Sequence, residues 1–193
     1  MADKILIGPQ LLIYPMPTVL VGANVDHKPN FMAVAWCGIA NDEPPMVSVA
    51  IRPERYTHRG IEQNATFSVN VPSTDLVKET DYCGIESGAK VNKAEVCNFT
   101  VFYGKSSSAP LIEECPVNLE CKVVHTLNLG THSLFIGQVT ETHISKSCFT
   151  NGKPDVSKFN AFVYTSDLDY QYQALGKILG RAFNIGKGFR GSK

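Results

Sequence analysis

The chain has 193 residues, of which 44% are hydrophobic and 19% charged, and its 18 basic and 18 acidic side chains give a formal net charge of zero. This length and composition predict one globular domain whose core is large enough to fold without disulfides or structural metals, and they exclude a disordered chain. The lack of a basic surplus argues against a dedicated nucleic-acid binder, and without an apolar run of about 18 residues no membrane-spanning helix is predicted.

The first half of the chain alternates predicted strands with two predicted helices. Valine-rich segments that alternate or run continuously apolar predict strands at residues 19–25, 31–40, 46–51 and 67–71. The four residues from Asp26 to Pro29 are typical of a hairpin turn between the first two strands. A short helix is predicted over residues 57–63, and a second helix is expected to follow Ser73 or Thr74 and to end before Gly84.

The second half continues with strands and short turns. Residues 117–127 and 132–145 predict a long strand pair joined through a turn at 128–130, and residues 159–165 predict a further strand. The Asn-Gly pair at 151–152 marks another turn. Many strands and few helices favour an antiparallel barrel or sandwich with helical insertions. No G-x-G-x-x-G follows a strand, so a dinucleotide site of the Rossmann type is not indicated.

The six cysteines and the C-terminal tail have simple interpretations. The cysteine spacings contain no C-x-x-C and no short-range histidine partner, so we expect free thiols and no metal site. The N-terminus lacks the pattern of a secretory signal, which predicts a cytoplasmic protein. Residues 174–193 carry five cations, five glycines and no acid, which predicts a solvated tail. The alternative is a segment that covers a ligand or docks on a partner.

Two predicted strands each present a face of small side chains. By period-two alternation these faces hold Ala33, Ala35 and Cys37 on one strand, and Ser48, Ala50 and Arg52 on the other. Small side chains allow a flat ligand to approach the N–H and C=O groups of the backbone. Close packing of another element of the same protein explains the pattern equally well.

Cations and a hydroxyl group follow at the start of the first predicted helix. Arg52, Arg55 and Thr57 lie where a helix exposes free N–H groups, and this combination suits a phosphate dianion. A hydrated basic turn is the alternative. A planar ring over the small-residue strands, next to a phosphate at the helix start, corresponds to flavin mononucleotide (FMN).

Longer motifs carry a family resemblance. They are, in chain order, NFMAVAWCGIANDEPPMVSVAIRPERYT, FSVNVP, DYCGIESG followed by Lys93, and LGTHSLFIG. With these motifs the sequence resembles the flavin reductase-like, FMN-binding split-barrel family, and within it the flavoredoxins most. The resemblance implies a mainly β fold, a six-stranded antiparallel Greek-key split barrel with short helical insertions, and a homodimer with FMN at or near its interface. It assigns residues 1–175 to this domain and 176–193 to its basic, glycine-rich tail.

The same resemblance implies which residues bind the cofactor. They are Asn30, Met32, Ala33, Trp36, Ala50, Arg52, Arg55, Thr57, Lys93 and His132. For Trp36 the alternative role is an anchor in the barrel core, for His132 it is a structural role at a strand start, and Tyr164 is a further candidate ring contact. Two positions depart from the family pattern: His27 stands where relatives commonly have glycine, and Asn92 where they usually have an acid.

The resemblance implies an FMN redox flavoprotein of flavoredoxin type, which moves electrons between a reductant and a protein or small-molecule acceptor. NAD(P)H or a redox protein is the expected partner, whereas nucleic acid and membrane are not expected. The flavin itself performs the redox chemistry, so no catalytic residue is assigned. One alternative is an NAD(P)H-dependent flavin reductase, and a second is a split-barrel binding module without redox turnover.

Overall fold

The computed structural model describes residues 3–105, 108–166 and 169–191. Its strands are β1 (Met16–Pro17), β2 (Val19–Val25), β3 (Lys28–Val34), β4 (Cys37–Asn41), β5 (Met46–Ile51), β6 (Thr66–Val71), β7 (Val101–Phe102), β8 (Leu111–Ile112), β9 (Val117–Asn128), β10 (Ser133–Ile144), β11 (Phe149–Thr150), β12 (Lys153–Pro154), β13 (Phe162–Thr165) and β14 (Gln171–Ala174). Its helices are α1 (Tyr56–Asn64), α2 (Val77–Ile85) and α3 (Lys93–Val96), with short 3₁₀ turns at Thr74–Leu76, Lys146–Cys148, Val156–Lys158 and Ile185–Gly191. The fold is therefore mainly β with a few short helices.

Seven strands form one antiparallel sheet in the order β3-β2-β6-β9-β10-β5-β4. β3 and β4 lie at its opposite edges, yet only Ala35 and Trp36 separate them in the chain, a link that spans roughly 10 Å at most. The sheet must therefore curl until its edges meet. Ala50 N–H donates to Trp36 O over 2.9 Å and so joins this link to β5. Among the described strands no hydrogen-bonded ladder joins β3 to β4, so the resulting barrel is open along this line.

The predicted count of six strands is not confirmed, because the strand predicted over residues 31–40 is two strands. β3 ends at Val34 and β4 begins at Cys37, whose N–H donates to Ala35 O over 3.0 Å in a tight turn. The apolar residues continue across this turn, so nothing local in the sequence marks it. The small side chains of Ala33 and Cys37 consequently belong to strands at opposite edges of the sheet.

The other long predicted elements are confirmed. The long strand pair is β9 and β10, and the helix predicted over residues 57–63 is α1. The second helix, α2, includes Gly84 rather than ending before it. The predicted hairpin turn joins β2 to β3, with φ values of 49° at Asp26 and 66° at His27. His27 thus adopts the left-handed conformation that a glycine would favour.

β2 is buried on both faces and separates two apolar clusters. Inside the curled sheet, Val21 packs in a cluster with Phe67 and residues of β5 and β10. On the outer face, Leu20 belongs to a cluster with Phe31 and Cys83. This outer cluster holds α2 and α3 against β3, and the groups that line the site described below come from these elements.

All six cysteines are free thiols. Within the described ranges, no group of His, Cys, Asp and Glu side chains is arranged to hold a metal ion. None of the helices described is both long enough and apolar enough to span a bilayer.

Candidate functional site

Two adjoining cavities lie where β3, α2 and the start of α1 meet. The large cavity has a volume of about 400 Å³ and the small cavity a volume of about 190 Å³. Met32, Arg55 and Gly84 line both cavities, so together they form one continuous site. The large cavity alone is within the range of about 300–1,000 Å³ that is typical of small-molecule pockets.

Nine of the ten residues predicted to bind a cofactor line these cavities. The large cavity is lined by Met32, Ala33, Trp36, Ala50, Arg52, Arg55 and His132. The small cavity is lined by Met32, Arg55, Thr57 and Lys93. Asn30 lines neither cavity and is buried behind Thr57, to which it is hydrogen-bonded. The structure thus brings the predicted residues together, and their role in binding stays a prediction.

The start of α1 supplies hydrogen-bond donors to the small cavity. Thr57 is in the first turn of this helix and its side chain is buried. Its Oγ1 accepts a hydrogen bond from Asn30 Nδ2 over 2.6 Å, which leaves the hydroxyl hydrogen for another acceptor. The first N–H groups of a helix have no acceptor within the helix. This corner of the cavity therefore suits an anion.

Lys93 brings a buried cation to the small cavity. Its Nζ donates to Phe31 O and to Cys83 O, each over 2.8 Å, and its side chain is 4% exposed. An ammonium group has three N–H donors, so one remains for a ligand. Burial lowers the pKa of Lys93, and the nearby charge of Arg55 also lowers it. No carboxylate in the described part of the chain forms an ion pair with Lys93.

Asn92, the residue that departs from the family pattern, is the N-cap of α3. Its Oδ1 accepts a hydrogen bond from Glu95 N–H over 3.4 Å, as an acid at this position would. The departure therefore leaves Lys93 at the start of α3 and against the small cavity.

An aromatic pair lies on one wall of the large cavity. The rings of Trp36 and His132 are stacked, with centroids 4.4 Å apart and an interplanar angle of 30°. Trp36 is 41% exposed, so the alternative of an anchor in the barrel core is wrong. Burial lowers the pKa of His132, and the charge of Arg52 lowers it further. Both effects favour the uncharged imidazole ring.

The two arginines have different surroundings. Arg52 lies 3.5 Å from the Glu54 carboxylate in an exposed pair, as in the hydrated basic turn considered above. Arg55 precedes α1 and lines both cavities. Glu54 and Glu86 also line the small cavity, so its wall carries charges of both signs. Arg55 is therefore better placed than Arg52 to contact an anion there.

A further part of the wall of the large cavity consists of residues that were not predicted to bind the cofactor, although Asp81 begins the motif DYCGIESG. It includes Thr18, Asp81, Tyr170 and Tyr172, next to Tyr164. The Tyr172 hydroxyl donates to Asp81 Oδ1 over 3.0 Å, and burial, then this hydrogen bond, raises the pKa of Tyr172. The two residues are 91 positions apart, so no local pattern could have paired them.

Comparison with known proteins agrees with this geometry. The family model of the flavin reductase like domain matches residues 11–163. Flavoredoxin from Methanosarcina acetivorans is 42% identical with a TM-score of 0.92, and the match covers 97% of this chain and 100% of that one. Flavoredoxin of Desulfovibrio vulgaris (Miyazaki F) is 34% identical with a TM-score of 0.87, over 95% and 100% of the two chains. An uncharacterised Archaeoglobus fulgidus protein is 38% identical over 75% of this chain and 81% of its own length. The chain therefore belongs to the flavin reductase-like family and is close to its flavoredoxins.

Proposed function

We propose that this protein binds FMN, with the phosphate in the small cavity and the flavin ring in the large one. The observation that carries the proposal is the buried Lys93 cation, for which the described residues provide no carboxylate ion-pair partner. A buried charge without an opposite charge beside it costs free energy, and a bound phosphate would supply that opposite charge. Arg55 and Thr57 add a guanidinium group, a hydroxyl and helix N–H groups at the same cavity.

The large cavity suits a planar aromatic ring. Ala33 and Ala50 leave the backbone of β3 and β5 accessible, and the stacked pair of Trp36 and His132 offers an aromatic surface. FMN, when bound, supplies the electron-transfer chemistry, while the polypeptide binds and orients it.

Gly88, in the loop after α2, lets this loop lie close enough to α1 to keep the small cavity at the size of a phosphate group. This residue lines the small cavity, and a Cβ atom at its position would collide with Asn30 Oδ1 and lie 3.0 Å from Tyr56 Cδ1. The backbone of the loop therefore lies directly against the start of α1. Any larger residue would push the loop away and open the cavity.

We further propose electron transfer of the flavoredoxin type. The similarity to two flavoredoxins supports this function. The family to which the chain belongs supports the alternative, an NAD(P)H-dependent flavin reductase. A split-barrel module without redox turnover is the third function, and it predicts that no flavin is bound.

The absorbance spectrum of the purified protein distinguishes these functions in two steps. We expect a flavin spectrum and, after denaturation, one FMN released per chain. NADH and NADPH are then added under anaerobic conditions with free flavin as the acceptor. Steady oxidation of the nucleotide indicates a reductase, whereas reduction by a redox protein alone indicates a carrier. A colourless protein that takes up no added FMN would indicate the third function, a binding module without redox turnover.

We also propose a homodimer with the site near its interface. Large apolar side chains in both terminal segments are 60–98% exposed; they are Ile5, Leu6, Ile7, Leu11, Leu12, Ile13, Leu175, Ile178, Leu179, Phe183, Ile185 and Phe189. Exposed apolar side chains in such number favour a protein–protein contact. Trp36 and Tyr170, which line the large cavity, are also exposed, so a second copy could cover its rim.

The six free thiols support the cytoplasmic location that we expect for this protein.

A further inference from the structure

Asp81 brings a carboxylate to the large cavity. Among the described residues that line it, Asp81 is the only acidic one. Glu54 and Glu86 line the small cavity instead, where the phosphate is proposed to bind. The proposed ring site therefore has one fixed negative charge on its wall.

Tyr172 holds this carboxylate in place. Asp81 is on α2 and Tyr172 on β14, and their hydrogen bond of 3.0 Å joins these two elements at the cavity wall. The Tyr172 ring is itself packed, with its centroid 5.5 Å from that of Phe162 and 5.9 Å from that of Tyr164. The carboxylate is thus anchored on the cavity wall rather than free to turn into solvent.

A fixed charge at this wall affects how easily a bound flavin is reduced. The oxidised ring is neutral, and two electrons with one proton, taken from the reductant and solvent, convert it into an anion. A carboxylate facing the same cavity repels that anion, and the repulsion is stronger where water is excluded. The opposing cations are partly neutralised, because Arg52 lies 3.5 Å from Glu54 and Arg55 would share its charge with the phosphate.

We propose that the Asp81 carboxylate, held on the cavity wall by Tyr172, lowers the reduction potential of the FMN bound there. This inference rests on the proposed function. A lower potential makes the reduced protein a stronger electron donor, and Asp81 therefore determines which acceptors the protein can reduce.

The test is an anaerobic redox titration of the FMN-loaded protein with dithionite and a reference dye, at saturating FMN. Asp81→Asn removes the charge while keeping an oxygen that can accept from the Tyr172 hydroxyl, so we expect a positive shift of the midpoint potential. Asp75→Asn is the matched control, because it removes the same charge at a residue that is exposed and lines neither cavity. Asp81→Ser replaces the Asn variant if the latter does not fold.

Two results would overturn the inference alone. The first is a potential that is equal in the Asp81→Asn and Asp75→Asn variants. The second is a wild-type potential in Tyr172→Phe, which keeps the carboxylate but removes the hydroxyl that holds it, because Tyr172 would then not fix the charge at the cavity wall. Wild-type protein that binds no FMN would instead overturn the proposed function together with this inference.

Discussion

At the scale of single residues, the protonation state of Lys93 has the most direct effect on the binding of a phosphate. Only the protonated amine attracts the phosphate, which is already a dianion above a pH of about 7. Burial lowers the pKa of Lys93 in the FMN-free protein. The cation is lost as the pH rises through this lowered pKa, so the dissociation constant for FMN should increase over that range.

Fluorescence titrations with FMN between pH 7 and pH 10 measure this effect. We expect Lys93→Met to weaken binding at pH 7 by about ten- to a hundredfold, since a hydrogen bond to a charged group contributes about 1.5–3 kcal/mol. The variant should also lose the alkaline pH dependence. Lys90→Met is the control, because Lys90 is exposed and lines neither cavity. A wild-type affinity that stays constant up to pH 10 would contradict the role of Lys93.

Most of the candidate site could be predicted because its residues are close together in the sequence. The positions from Asn30 to Thr57 cover β3, β4, β5 and the start of α1, and the motif in this range is the one that carries most of the family resemblance. Asp81 and Tyr172 could not be predicted, since they meet only when β14 folds back over α2. A carboxylate and a tyrosine so far apart in sequence form no pattern until the tertiary fold is known.

At the scale of elements, the position of α1 against β2 depends on Gly60. A Cβ atom at this position would lie 2.5 Å from Asn24 O and 2.9 Å from Val25 Cγ2. We expect Gly60→Ala to lower the free energy of unfolding by about 1–2 kcal/mol. The contact with a backbone oxygen puts the cost of overpacking at the upper end of its range, about 2–3 kcal/mol, and the better helix propensity of alanine returns about 1 kcal/mol. It should also weaken FMN binding, since the start of α1 would move.

Urea unfolding monitored by circular dichroism measures the change in stability. Gly38→Ala is the control, because the nearest atom to its added Cβ would be Ser48 Oγ at 4.0 Å. We expect this control to remain within about 0.5 kcal/mol of wild type. Equal stability of the two variants would show that α1 does not pack closely on β2.

The element predicted over residues 31–40 shows where sequence patterns fail. Its residues are suitable for a strand throughout, and they do form strands on both sides of a break at Ala35 and Trp36. The break arises because the sheet curls and its two edges must be joined by a short link. This is a property of the curled sheet rather than of any local sequence, whereas the strands that become β2, β5 and β6 are each continuous and are predicted to within one residue.

At the scale of the whole molecule, the C-terminal tail and the body have complementary charges. Residues 174–193 contain five of the 18 basic residues and none of the 18 acidic ones, so the remainder carries 13 basic and 18 acidic residues. The same tail exposes apolar side chains such as Ile178 at 91% and Phe183 at 98%. Both features favour packing of the tail on the body of a second copy.

Light scattering after gel filtration tests this arrangement. We expect a mass of about twice the 21.1 kDa of one chain for wild type, and a monomer for the double variant Ile178→Asp, Phe183→Asp. Val156→Asp is the control, because Val156 is 68% exposed but lies outside the terminal segments. A monomeric wild type, or a double variant that remains dimeric, would contradict the proposed interface.

The measurement that tests the central claim most directly is a pair of titrations of flavin-free protein with FMN and with riboflavin, which differs by lacking the phosphate. We predict that FMN binds at least about a hundredfold more tightly than riboflavin, since the phosphate would gain charge-assisted hydrogen bonds from Lys93, Arg55 and Thr57. The double variant Arg55→Ala, Thr57→Ala should lose most of this preference. Equal affinities for the two flavins in wild type, or no binding of either, would contradict a phosphate site in the small cavity.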